Sequence, residues 1–130
     1  MPRINFLDLV PRWWYCTDMI GYYLFLDDER TLDMAYGPQA ESKFAYPVLV
    51  ARSTEEAKHI VENVGWPTHL LLDHDLGGND TTMVFLQWLA YEKHDGEPVP
   101  GYTIHSANPV GAGNINSFMR SWAKVTRAEP

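Results

Sequence analysis

Residues 69–80 read HLLLDHDLGGND. A short apolar run stops at Asp73, follows with His74 and Asp75, and turns on Gly77 and Gly78. A continuous apolar run of this length bounded by turn residues reads as a strand buried on both faces. The same form recurs at YYLFLDDER (22–30), PVLVA (47–51) and YTIHS (102–106). Strands are therefore expected at 22–27, 47–51, 69–73 and 102–106.

Helical patterns separate them. Ser53 and Glu56 are spaced as a capping box, Ala57, Ile60, Val61 and Val64 share one face, and Gly65 supplies a stop. Asp80 or Thr81 can cap the next helix, with Val84, Phe85, Trp88 and Leu89 expected to face inward, and Thr82 is a further cap candidate. Gly96, Pro98 and Pro100 mark a turn. Ile115, Phe118, Met119 and Trp122 lie at helical spacing in a last helix. Residues 31–46, broken at Gly37-Pro38, fit a short helix or an ordered loop. Strands alternating with helices predict an α/β fold around a parallel sheet.

In such sheets ligands bind at the carboxyl ends of the strands, where the strand order reverses. Three expected strands end in reactive residues: Asp27, Asp28, Glu29 and Arg30; Asp73, His74 and Asp75; His105, Ser106, Ala107 and Asn108. A parallel sheet brings all three ends to one edge. If the strands persist through the acids, Asp27 and Asp28 point to opposite faces, and His74 points away from Asp73 and Asp75. Like-charged carboxylates this close raise a pKa unless a cation or a hydrogen bond intervenes. Arg30 suits either a carboxylate or a phosphate. The Gly77-Gly78 turn suits a close backbone approach to an anion, or simply a tight turn. Asn108 fits a helix cap, and Ser106 fits a bond within its own turn. Ser106 lies outside a G-x-S-x-G elbow, so a serine nucleophile has little support. His59, His69 and His94 read as structural or solvated.

Composition narrows the functional classes. The chain has 130 residues, enough for one domain, and 17 Asp and Glu against 10 Lys and Arg, a formal charge of −7. No basic run is present to neutralise a phosphate track, so duplex nucleic acid is not an expected partner. Clustered acids suit a divalent cation or acid–base work. A lone cysteine, Cys16, allows no internal disulfide and fits a reducing compartment, so a cytoplasmic location is expected. No apolar run reaches the length of a membrane span, and the start lacks the pattern of a signal peptide. Residues 1–21, with Trp13, Trp14 and Tyr15, are read as an N-terminal extension that packs on the domain or on a second subunit. Residues 22–130 are read as the domain itself.

The order of an acidic pair, LLLDHDLGG and IHSANP resembles the receiver domains of two-component signalling. In that family Asp27, Asp28 and Asp73 correspond to the Mg²⁺-holding acids, and Ser106 stands at the Thr/Ser position. A receiver also has a fifth strand bearing a Lys. Here only one helix follows IHS, and Lys124 lies in or just past it. LFLDDER (24–30), LDHDLGG (72–78) and HSANPVG (105–111) together resemble more closely the receiver-like family that processes cyclic phosphates, over about residues 22–122. The resemblance implies a receiver-like (flavodoxin-like) three-layer fold with a short, mostly parallel sheet lacking the standard fifth strand. It also implies a phosphoesterase-like site for a cyclic nucleotide or a 2′,3′-cyclic phosphate RNA end, on Asp27, Asp28, Arg30, Asp73, His74, Asp75, His105, Ser106 and Asn108.

The expected chemistry follows. Asp27, Asp28 and Asp73 would hold Mg²⁺ or Mn²⁺. His74 or His105 would be base or acid, oriented by Asp75. Arg30, Ser106, Asn108 and the Gly77-Gly78 turn would contact phosphate. A metal-free version has the two histidines share acid and base. Two rivals stand beside it: a module that sequesters a cyclic nucleotide by stacking on Trp13, Trp14 or Tyr36, and a signalling receiver phosphorylated on Asp73. The extension is a candidate homo-oligomer contact.

Overall fold

The computed structural model describes residues 21–128. The readings placed on residues 1–20, including Trp13, Trp14, Cys16 and the oligomer contact, lie outside the described residues.

Four strands, β1 (Tyr23–Leu26), β2 (Val48–Ala51), β3 (His69–Leu72) and β4 (Gly101–Ile104), form one sheet in the order β2-β1-β3-β4. Every pairing is parallel. The sheet is thus wholly parallel, and its carboxyl ends share one edge. Each strand ends at the polar residues that follow it: Asp27 and Asp73 make one last ladder bond through their N–H groups, and the chain then turns away. The alternation expected for persisting strands does not apply to them. The chain steps from β1 outward to β2, then crosses to β3 on the other side of β1. The order reverses between β1 and β3, where an open α/β sheet has its crevice.

Three helices build the larger core. α2 (Thr54–Val64), α3 (Thr82–Trp88) and the long α4 (Pro109–Ala128) contribute Ala57, Ile60, Val61, Phe85, Leu86, Ile115, Met119 and Trp122, packed with Leu24, Leu26, Leu70 and Leu72 of the sheet. The opposite face is thinner. There Phe25, Val48 and Leu71 are covered by α1 (Leu32–Tyr36) and by Phe44, which follows a 3₁₀ turn (Ala40–Lys43). The stretch 31–46 is therefore a short helix plus a 3₁₀ turn. Thr31 caps α1 by accepting the Met34 N–H at 3.1 Å.

Two local expectations change. Val84 is 46% exposed, because the buried stripe of α3 runs through Thr82, Phe85, Leu86 and Leu89 at i, i+3, i+4 and i+7, and Val84 lies off it. α3 continues into a π-helical turn at Leu89–Lys93. Thr81 stands at the N-cap of α3 without a side-chain cap bond. Asp80 caps the preceding helix instead: its carboxylate accepts the Thr54 N–H at 2.9 Å and the Thr54 hydroxyl at 2.6 Å. Ser53 does accept the Glu56 N–H (3.1 Å), while the Glu56 carboxylate reaches the Arg52 N–H (3.3 Å) rather than that of Ser53. No helix among the described residues is long and apolar enough to cross a membrane.

Candidate active site

The site begins with Asp27, the first residue past β1. Its N–H extends the ladder to Ala51 O (3.1 Å), and the residue is only 1% exposed. One carboxylate oxygen, Oδ1, accepts the N–H groups of Glu29 and Arg30, both at 2.9 Å. This turns the chain sharply at the strand end. The other oxygen, Oδ2, faces His105 Nε2 at 3.1 Å.

Asp73 is the matching residue past β3, its N–H bonded to Leu26 O (3.0 Å). Its Oδ1 accepts the His74 N–H (2.9 Å), and its carbonyl accepts the hydroxyl of buried Thr82. The Ser106 side chain also bonds its carboxylate. Burial, and next the charge of Asp27, push the Asp73 carboxyl above its ordinary value. Asp27, Asp28 and Asp73 each offer an oxygen within 4.8 Å of the others. Asp28 Oδ2 also lies 3.4 Å from where a Cβ on Gly77 would fall, and Gly77 has φ +93. Glycine therefore lets the 77–78 turn close over the acids without strain.

The two histidines occupy different surroundings. His105 continues the ladder from β4, its N–H bonded to Leu72 O (2.9 Å). Its ring lies parallel to Phe25 at 5.0 Å and its side chain is 7% exposed. Nε2 meets Asp27 and Nδ1 meets the Tyr36 hydroxyl at 2.9 Å. Burial pulls its pKa below the ordinary 6.5, although the charge of Asp27 acts the other way. The contact with Asp27 is a hydrogen bond in which the carboxylate oxygen accepts from Nε2. His74 points instead toward α4. Its Nδ1 lies 2.9 Å from Asp75 Oδ1, and its side chain is 12% exposed against 64% for Asp75. The bond to His74, and then one from Asn108, hold the Asp75 carboxyl below its ordinary value.

Asp75 was expected to orient either histidine. The structure gives Asp75 to His74 and Asp27 to His105. It also brings Asp75 to the same side as His74, because the strand has ended and the backbone turns. Asn108 does two things: Oδ1 caps α4 through the N–H groups of Val110 and Gly111 (3.1 Å each), and Nδ2 reaches Asp75 Oδ2 at 3.3 Å. Ser106 Oγ accepts the Asn108 N–H (3.1 Å). Arg30 donates Nη1 to the His105 carbonyl at 2.6 Å, tying two strand ends together.

Two residues at the site escaped the sequence reading in these roles. Arg52 Nη1 donates to the carbonyls of Asp27 (3.0 Å) and Arg30, clamping the acidic loop from the β2 end. Tyr36, considered only as a stacking platform, is a hydrogen-bond partner of His105. Arg52 precedes a helix cap and Tyr36 lies in an aperiodic stretch, so neither carried a local signal. A groove lined by Tyr102, Met119, Arg120 and Lys124 runs along β4 and α4, but no carboxylate or histidine lines it, and the reactive groups lie at the strand ends. Lys124 is on that helix, not at a strand end.

This arrangement can gather a hard cation on carboxylate oxygens and place a carboxylate-paired imidazole near it. Among solved structures, a fusion carrying the yeast Spc42 trimeric coiled coil is similar at 19% identity, over 87% of each chain, with a TM-score of 0.48, too distant to carry an argument. No curated protein matches. Residues 22–121 match the family described as the cyclic-phosphate processing receiver domain. With the parallel receiver-like sheet and the acids at its switch point, the chain belongs to that family.

Proposed function

We propose that the protein hydrolyses a small cyclic phosphodiester, a cyclic nucleotide or a 2′,3′-cyclic phosphate RNA end. The observation that carries this reading is the approach of Asp27, Asp28 and Asp73 within 4.8 Å at the point where the strand order reverses. The residues fit a divalent cation. Three carboxylates form a hard-oxygen donor set, and burial together with the charge of Asp27, which raise the Asp73 carboxyl, disfavour a bare carboxylate there in the way a bound cation offsets. Mg²⁺ or Mn²⁺ on Asp27, Asp28 and Asp73 would supply charge neutralisation at the phosphoryl oxygens.

The chain's own residues supply the rest. Ring opening needs water to add at phosphorus, the ring P–O bond to break, and a proton to reach the departing oxygen. His74 is the proton carrier in this reading. Its Nδ1 is bonded to Asp75, which leaves Nε2 to take or give a proton, the arrangement of a carboxylate-oriented imidazole. In this reading the Gly77-Gly78 turn and Ser106 would contact phosphate, a Cβ on Gly77 falling 3.4 Å from Asp28 Oδ2. Arg30 reaches phosphate only through nitrogens other than Nη1, which holds the His105 carbonyl. The metal-free version loses support here, because both nitrogens of His105 are already engaged.

The test is incubation with cyclic mononucleotides, cyclic di- and trinucleotides and 2′,3′-cyclic RNA ends, with Mg²⁺, with Mn²⁺ and with EDTA. Linear monoester products that disappear with EDTA support the proposal; no turnover of any of them defeats it. Intact ligand recovered from a denatured complex would favour a sequestering module. Tyr36, the one described residue offered for stacking, is turned to His105 instead. An Asp73 phosphorelay lacks the strand-end Lys that such chemistry uses among the described residues, and labelling by a small phosphodonor is expected to fail.

A further inference from the structure

We propose that Tyr36 is a positioning residue: with Asp27 it pins His105 from both ring nitrogens, making His105 a holder of the acidic cluster rather than a proton carrier. The inference rests on the cation reading of Asp27 above. It follows from a count of donors and acceptors. Asp27 Oδ1 is filled by the N–H groups of Glu29 and Arg30, so Oδ2 is the oxygen left for both His105 and a cation. An ionised carboxylate only accepts, so His105 must present N–H at Nε2. Nδ1, the other ring nitrogen, faces the Tyr36 hydroxyl at 2.9 Å and is the acceptor in this proposal.

The pocket reinforces this assignment. Tyr36 stands edge-on to Phe25, Phe44 and His105, with ring centroids at 6.3, 5.7 and 5.3 Å. Among the described residues, the phenyl rings of Phe25 and Phe44 offer Nδ1 no donor. Burial and the charge of Asp27 push the Tyr36 hydroxyl up to about 12, so it keeps its proton and donates. Removing the hydroxyl leaves a buried acceptor unmatched, and the ring is then free to rotate or admit water. Either movement loosens the Nε2–H bond to Asp27 Oδ2, the oxygen left for a cation shared with Asp28 and Asp73. Hydrogen-bonded partners behind ligating carboxylates orient them in the same way.

The experiment combines ¹⁵N NMR of the histidine ring with Mn²⁺ titration followed by EPR, and neither needs a substrate. In the full chain His105 is expected to be protonated at Nε2, with a slowly exchanging N–H and the shift of a hydrogen-bonded acceptor at Nδ1. Tyr36→Phe should move Nδ1 to its unbonded value, speed exchange of the Nε2 proton and weaken Mn²⁺ about ten-fold. Phe44→Leu perturbs the same aromatic wall without removing a hydrogen bond and should leave all three unchanged. A wild-type ring protonated at Nδ1 would overturn the proposal, a result that holds even if Tyr36→Phe does not fold. So would a folded Tyr36→Phe protein with unchanged exchange or unchanged Mn²⁺ affinity, or a Phe44→Leu protein that behaves as Tyr36→Phe. Pinning observed in a protein that cuts no cyclic phosphate would defeat the hydrolase reading and leave this one standing.

Discussion

The backbone of Gly111 lies against the imidazole of His74: a methyl group on Gly111 would sit 2.3 Å from His74 Cγ and 2.7 Å from its Cβ. Cβ is fixed to the backbone, so a rotamer change can move Cγ but cannot relieve the 2.7 Å clash. Gly111→Ala gains at most about 1 kcal/mol of helix propensity in α4. Overpacking costs about 1–3 kcal/mol, so the clash wins. The variant should be less stable in urea denaturation, and any cyclic-phosphate turnover should fall as His74 leaves Asp75. Unchanged stability with unchanged turnover would refute the close contact.

Asp73 carries a conflict between function and stability. Its carboxyl is raised by burial and by Asp27, so the ionised form is less favourable folded than unfolded, and this penalty is present at neutral pH. Asp73→Asn keeps an acceptor for the His74 N–H and removes the charge. The cation-free variant should melt higher than wild type, and Mg²⁺ or Mn²⁺ should no longer raise its melting temperature. Thermal melts with and without metal decide this; a cation-free melting point below that of wild type would count against the repulsion.

Asp80 links the glycine turn to the start of α2 through two bonds to Thr54. Replacing a capping side chain by Ala costs about 0.5–2 kcal/mol. Asp80→Ala should therefore lower the unfolding free energy from urea denaturation by that order, whereas Thr81→Ala, at the formal cap of α3, should do less because its side chain makes no cap bond. The reverse ranking would disprove the assignment.

Acid should weaken the fold from the histidine side first. Burial holds His69 below its ordinary 6.5, and His105 shifts the same way. The unfolded chain then takes up protons that the folded one resists. This contribution is intact above 6.5 and is lost as pH falls through 6.5 toward the folded values. Asp73 has the opposite sign, but in the lower window that begins at the ordinary carboxylate value of 3.8. Urea midpoints across this range should slope downward with acid, and His69→Gln should flatten part of the slope. An identical slope in the variant would show that His69 is not the source.

Much of the architecture is legible in local pattern. All four strands and the helices α2, α3 and α4 follow from apolar runs, periodicity and stop signals, because burying a strand on both faces or a helix on one stripe constrains neighbouring residues directly. The misses have local causes. Val84 was placed by counting apolar residues, while the buried stripe of α3 begins at Thr82, a polar residue that lies inside because its hydroxyl finds the Asp73 carbonyl. Asp80 read as a cap for the helix after it, and the fold gives it to the helix before it.

By itself, the sequence determined that this is a parallel α/β domain with acids and histidines at its strand ends, since apolar runs and helical periods are encoded a few residues at a time and their alternation calls for parallel crossovers. Which groups pair was decided only by the tertiary structure. His105 meets Asp27 across 78 positions and Tyr36 across 69, while Asp75 goes to its neighbour His74. Such pairings depend on strand order and on how the turns leave the sheet edge, and no local spacing carries that information.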